Sequence, residues 1–238
     1  MGPTIVRHER LSLVCVHACY GAPVSREATL RTSNATSAAT RVAAKYGYAT
    51  EAPIVLQESN NTVVWLRPHA IIAKVGTWRH SVEALVREHA VAVALAASGA
   101  PIAPPLSGVD PAHDQETGLI VTLWTKLDHD LEGEVAPTDV GMSLRRLQHD
   151  LARYEGEPPS FQVKLSLARA ALADDRLMSA LPKGDRSMLR AAFDRLRAEV
   201  DTFEYSEQPL HGEPHRGNLL ATRAGLRWID LEGVCVGP

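Results

Sequence analysis

Between Pro53 and Val75 the chain turns β-prone three times in quick succession, and this most limits what it can fold into. The runs are Ile54-Val55-Leu56, Thr62-Val63-Val64-Trp65-Leu66 and Ala70-Ile71-Ile72-Ala73. Glu58-Ser59-Asn60-Asn61 and Arg67-Pro68-His69 separate them, and both segments have turn chemistry. Three strands this short and this close suggest an antiparallel meander. A helix follows, with Ser81 as its cap and Val82, Leu85, Val86, Val93 and Ala97 near a 3.6-residue period. Ser98-Gly99 closes it, and Pro101, Pro104 and Pro105 enforce an extended segment. Leu119 to Trp124 is a further strand.

The remainder up to Glu204 reads as mostly helical. Val140, Leu144, Leu147 and Leu151 form one stripe; Leu165, Leu167, Ala168 and Leu172 form a weaker one. Leu189, Ala192, Phe193, Leu196 and Val200 form a third, with Asp185 as its candidate cap. Ahead of the strands, residues 23–37 are rich in Ser, Thr, Arg and Asn and read as linker. Thr36 to Lys45 reads as a short helix ended near Gly47. The class is α+β in two lobes. A poorly ordered leader (1–35) precedes an N-terminal lobe (36–125), a small antiparallel sheet with one helix. A larger, mostly helical C-terminal lobe (126–238) follows.

Composition narrows the function. The 25 Lys and Arg nearly balance the 28 Asp and Glu, for a formal charge of −3, which argues against a dedicated nucleic-acid binder. Aromatics are only 5%, so aliphatic side chains must fill the core. Leu11 to Ala22 is fairly apolar, but His17 interrupts it and Arg7, Glu9 and Arg10 make a mixed flank, so a signal peptide is not favoured. No run reaches the ~18 apolar residues of a membrane span. Cys15, Cys19 and Cys235 are too few for a disulfide framework and fit a reducing cytoplasm. His17 between two thiols invites a metal reading, but a second ligand pair is missing, so unpaired thiols are preferred.

The most informative stretch lies near the end. Leu210-His211-Gly212-Glu213-Pro214-His215-Arg216-Gly217-Asn218-Leu219-Leu220 is followed by Leu226-Arg227-Trp228-Ile229-Asp230-Leu231-Glu232-Gly233. Apolar residues flank a polar cluster, which puts it on a loop leading into a hairpin, with Asp230 at the end of the second strand. Asn218 and Asp230 offer hard oxygens, which suit Mg²⁺ shared with phosphates. A carboxylate five residues before an Asn is the spacing of a kinase catalytic loop, in which the carboxylate takes the hydroxyl proton and the Asn and a later Asp hold metal. Upstream, Lys74 ends a strand and Glu88 lies on the next helix, the layout of a phosphate-binding Lys oriented by a helix Glu. Each feature is weak alone; their order and spacing carry the reading.

Together these motifs resemble the aminoglycoside phosphotransferase and choline kinase-like family, which has a protein-kinase-like fold. The family's His-Gly-Asp-x-His-x-x-Asn is similar to His211-Gly212-Glu213-Pro214-His215-Arg216-Gly217-Asn218. Its Ile-Asp-x-Glu strand is similar to Ile229-Asp230-Leu231-Glu232, with Gly237-Pro238 beyond. The likeness spans roughly residues 40–238. It implies ATP or GTP as co-substrate with Mg²⁺, and a small-molecule hydroxyl as phosphoryl acceptor. Ser59, Asn60 and Asn61 would cover the phosphates, and Lys74, oriented by Glu88, would bind them. Trp124, Thr125 and Leu127 would form the hinge against the base, and Asn218 and Asp230 would hold the metal. Glu213 would orient or deprotonate the acceptor, His211 and His215 would brace the loop as buried histidines, and Glu232 would support from behind.

Two departures accompany the likeness. Glu213 stands where the family has Asp, and its extra methylene moves the oxygen by about an ångström, a displacement that can cost roughly a hundredfold in rate. The family also continues with further helices where this chain reaches Pro238, so the expectation is a C-terminally shortened member. The competing reading is therefore a nucleotide-binding protein of the same fold that has lost catalysis. Acidic residues such as Asp150, Glu155, Glu157, Asp174 and Asp175 could attract a cationic acceptor, but ordinary solvated helix surface is the preferred reading.

Overall fold

The computed structural model describes residues 26–77, 81–130 and 134–238. The leader's Cys15, His17 and Cys19, and the side chain of Ser81, lie outside the described residues. The chain forms two compact units. The first takes in its residues up to Tyr154 together with Glu213–Glu232, and the second takes in Glu155–Gly212 and Gly233–Pro238. The lobes expected from sequence are cut along the chain at residue 125; these units are not.

The first unit opens with helix α1, Arg26–Lys45. Over residues 26–45 this corrects the reading of linker up to 37 and of a short helix over 36–45; residues 23–25 lie outside the described residues. Ala35, Ala38, Ala39, Val42 and Ala43 recur at helical spacing and are fully buried. The polar residues that suggested a linker fold their hydroxyls back onto the helix. Thr32, Thr36 and Thr40 each donate to the carbonyl four residues earlier. Gly47, at φ +85°, ends the helix as expected, and Tyr48 N–H donates back to the Ala43 carbonyl.

Strands β1 (Ile54–Glu58), β2 (Asn61–Trp65) and β3 (Ile71–Gly76) form the expected meander. Helix α2, Ser81–Ala97, follows, then β4 (Ala112–His113) and β5 (Ile120–Thr125). The sheet order is β1-β2-β3-β5-β4, antiparallel throughout. Because side chains alternate along a strand, the sheet has two distinct faces. Ala73 and Val75 of β3 pack with Val121 and Leu123 of β5 into the core under α1. Lys74, between them in sequence, points the other way and meets α2. The sheet therefore carries two helices on opposite faces, where the sequence reading gave its lobe one.

The proline segment is extended and stitches two elements together. Ala103 N–H donates to the Trp228 carbonyl, Trp228 N–H to Pro101, and Thr125 N–H to Pro104. Strand β6 (His129–Asp130) leads on to helix α3, Pro137–Leu151, whose predicted stripe buries Leu147 and Leu151 completely.

The second unit holds α4 (Gln162–Ala173), α5 (Asp175–Met178), α6 (Lys183–Asp201) and β7 (Gln208–Leu210). Strand β7 pairs with a C-terminal strand, Cys235–Gly237. Asp185 lies inside the first turn of α6; the capping position is Pro182, which makes no side-chain cap. The α4 and α6 stripes form on helices but are not buried: Leu167 and Leu196 are 65% and 49% exposed.

In the first unit the segment after Glu213 returns as a 3₁₀ turn, Arg216–Asn218, and a hairpin of β8 (Leu219–Thr222) and β9 (Gly225–Trp228). The last strand, Cys235–Gly237, is β10. No helix among the described residues is long and apolar enough to cross a membrane.

Candidate functional site

Lys74 is placed by register. It lies opposite Val63 on β2 and Thr122 on β5, in the middle of the sheet. Its ammonium donates to both oxygens of Glu88, at 3.1 and 2.9 Å, and to Asp230 Oδ1 at 2.8 Å. It also pairs with Glu232. Glu88 is buried on α2, and its Oε1 accepts a second bond, from Leu231 N–H at 2.9 Å. One buried carboxylate thus holds both the Lys74 ammonium and the backbone just after Asp230.

Burial opposes the charge on Lys74, but Glu88, Asp230 and Glu232 outweigh it and push its pKa up. For Glu88, burial is the main effect and Lys74 only partly offsets it. Its pKa is raised to about 7, with Glu232 and Asp230 adding to the rise. Glu88, Asp230 and Glu232 bring carboxylate oxygens within 4.8 Å of one another. The Lys74 ammonium is the cation they share.

Asp230 has φ +63°, the one described non-glycine residue in the left-handed region. Asp tolerates that conformation better than most residues. The turn comes between β9 and the 3₁₀ turn Leu231–Gly233, and it leaves Asp230 facing Lys74. Sequence placed Asp230 at the end of a strand; it sits just beyond one, in a conformation no sequence pattern announces.

Asn218 is buried, and its position is held from three sides. Its Nδ2 donates to the Glu213 carbonyl at 3.0 Å, its N–H donates to His215, and its carbonyl accepts from Ile229. The Ile229 bond fixes Asn218 next to the Asp230 turn. Asn218 and Asp230 supply the hard-oxygen chemistry that Mg²⁺ takes. Glu213 is exposed, and its backbone carbonyl anchors both His215 N–H and the Asn218 side chain. Of the two histidines expected to be buried, His211 is buried and His215 is exposed. His215 still braces the loop, because its Nδ1 accepts from Gly217 N–H at 3.1 Å.

The segment expected to cover phosphates divides. Ser59 and Asn60 form the exposed turn, with Ser59 N–H bonded to the Asn61 carbonyl and Thr77 Oγ1 to that of Asn60. Asn61 is the first residue of β2, is buried, and donates through Nδ2 to Glu232 Oε1 at 2.5 Å. At the other end, Trp124 and Thr125 belong to β5, and Leu127 lies just past it. The Trp124 indole donates to Thr122 Oγ1 at 2.9 Å and meets the His89 ring edge-on. The structure therefore brings Lys74, Glu88 and Asp230 into direct contact, with Asn61 joined to them through Glu232. Sequence reasoning missed Glu232 as a direct partner of Lys74 and Asn61, a contact 171 positions away from Asn61 that leaves no local signature.

No curated protein matches the chain. Among solved structures, amicoumacin kinase hAmiN in complex with AMP-PNP, Ca²⁺ and Ami superposes with a TM-score of 0.62 at 16% identity. That match covers 89% of this chain and 67% of the other. A thermostable mutant of aminoglycoside phosphotransferase APH(4)-Ia gives 0.60 at 13%, covering 84% and 73%. A choline/ethanolamine kinase family protein from Mesorhizobium loti gives 0.53 at 17%, covering 87% and 66%. These likenesses establish the protein-kinase-like fold. Residues 54–238, which run from β1 to the last residue and include every side chain of the cluster around Lys74, match the phosphotransferase enzyme family (APH), and the chain belongs to that family.

Proposed function

We propose that the protein binds ATP or GTP with Mg²⁺ and transfers the γ-phosphoryl group to a hydroxyl of a small molecule. The observation that carries this reading is the Lys74–Glu88–Asp230 contact. A strand Lys is held by a helix Glu beside an Asp that can take metal. Family membership supports phosphoryl transfer. The neighbours' complexes with AMP-PNP and Ca²⁺, and with ADP and hygromycin B, support a nucleotide, a divalent cation and a small acceptor.

In this reading Lys74 exchanges a carboxylate for nucleotide phosphate, and Glu88 keeps its ammonium aimed. Ser59, Asn60 and Asn61 cover the phosphates, and Trp124, Thr125 and Leu127 face the base. Asn218 and Asp230 would hold Mg²⁺, which when bound offsets phosphate charge. Glu213 takes the hydroxyl proton as the acceptor oxygen bonds to phosphorus and the nucleoside diphosphate leaves. The test is transfer from ATP and GTP to a panel of hydroxylated amines and sugars. Asp230→Ala is expected to lose metal-dependent binding, and transfer that survives this substitution would sink the metal assignment.

A second reading, nucleotide binding without transfer, is favoured by the longer arm of Glu213. Glu213→Asp separates the two. Transfer by both forms, at whatever relative rates, supports the kinase; inactivity of both with nucleotide still bound supports the silent protein.

A further inference from the structure

Glu232 meets two strands and a helix of the first unit. Its carboxylate accepts from Asn61 on β2 and pairs with Lys74 on β3. Its backbone carbonyl accepts from Arg87 on α2 at 3.5 Å. Its side chain is 23% exposed.

The Asn61 carboxamide is the revealing partner. Asn61 is 6% exposed; its Nδ2 is bonded to Glu232, and its Oδ1 is buried with no partner. A carboxylate can only accept, so Glu232 dictates which way the carboxamide faces. The NH₂ group turns to Glu232 and the oxygen is left as an acceptor. A buried acceptor without a donor is uncommon and calls for an explanation, such as a ligand still to come. Asn61 also begins β2 directly after the Ser59-Asn60 turn, so whatever fixes Asn61 fixes the near end of that turn.

We propose that Glu232 is a positioning residue for the nucleotide. It holds Asn61, and through it the 59–60 turn, where the turn can close over phosphates, and it presents Asn61 Oδ1 to a donor that arrives with the nucleotide. This rests on the nucleotide-binding reading above. Glu232 acts through Asn61 and need not touch the reacting atoms.

The experiment is a double-mutant cycle on nucleotide affinity, with ATP and GTP in Mg²⁺, over Glu232→Ala, Asn61→Ala and the pair. Each single variant is expected to weaken binding about tenfold, and the pair no more than either alone, because both remove one hydrogen bond to a charged group. Glu232→Gln keeps an acceptor for Asn61 and is expected to restore most of the affinity. A melt of each variant without nucleotide checks that the fold is retained, a requirement a purely structural role would fail in step with affinity. Additive losses, or Glu232→Ala binding as the parent does, overturn the proposal while leaving nucleotide binding intact. A parent protein that binds neither nucleotide overturns the functional reading, and this proposal with it.

Discussion

At the scale of single residues, Glu88 has the most to lose. Its folded pKa is raised from 4.5 to about 7, so the folded state holds the proton more tightly than the unfolded chain. The sign follows from that: the stability contribution is complete below about pH 4.5 and is lost as pH rises through about 7. The nucleotide-free protein is expected to lose stability over that window. Melts of the parent and Glu88→Gln across pH 4.5–7.5 check this, and equal slopes would rule it out. Lys74→Ala leaves three carboxylates without their shared ammonium. It is expected to cost about 3 kcal/mol of stability and to weaken nucleotide binding at least tenfold. Titration calorimetry measures the second effect, and unchanged affinity would remove Lys74 from the phosphate site. The meeting of Lys74, Glu88 and Asp230 was legible in the sequence because strand, helix and loop spacing put chemistry-bearing types in a known order. The left-handed turn at Asp230 and the Glu232 bridge were not, because both depend on where distant backbone arrives.

At the scale of elements, α1 is the one the sequence reading cut short. Its composition looks like linker, and only the five small residues on its buried face show otherwise. It is fastened to the β4–β5 connection by Arg41, whose Nε and Nη2 donate to the two oxygens of Asp114 at 2.8 and 2.7 Å. Asp114 is 1% exposed, and the Arg41 bond, with help from Thr117, holds its carboxyl below the usual carboxylate range. A depressed pKa contributes stability that is present above about pH 3.8 and fades as pH falls below it, opposite in sign to Glu88. Asp114→Asn is expected to cost about 2 kcal/mol at neutral pH, read by denaturant melts, because it leaves Arg41 poorly paired. No change in midpoint would mean that the Arg41–Asp114 pair adds nothing to the hold on α1. The loop before Glu213 is fixed differently. Gly212 has φ +84°, and a Cβ there would lie 2.0 Å from the Gly233 carbonyl oxygen. Gly212→Ala should therefore disturb the loop although it removes no functional group, with a loss of about 3 kcal/mol or more. A melt indistinguishable from the parent would contradict that geometry.

At the scale of the whole molecule, the meander, α2, β5 and the final hairpin were readable because each follows a period of two or of 3.6. The amphipathic stripes of α4 and α6 predicted helices correctly but not burial, since periodicity reports which side is apolar and not what covers it. The chain spans about two thirds of the length of hAmiN and 73% of APH(4)-Ia. The central claim is that Lys74, Asn218 and Asp230 make a working nucleotide site, and a thermal melt with ATP or GTP, with and without Mg²⁺, tests it most directly. At a hundred times Kd the ligand should add ~2.7 kcal/mol, which at roughly 2–4 °C per kcal/mol raises Tm by several degrees. The account predicts that rise with one of the two nucleotides, and only when Mg²⁺ is present. A cooperative melt that neither nucleotide moves in Mg²⁺ would contradict it.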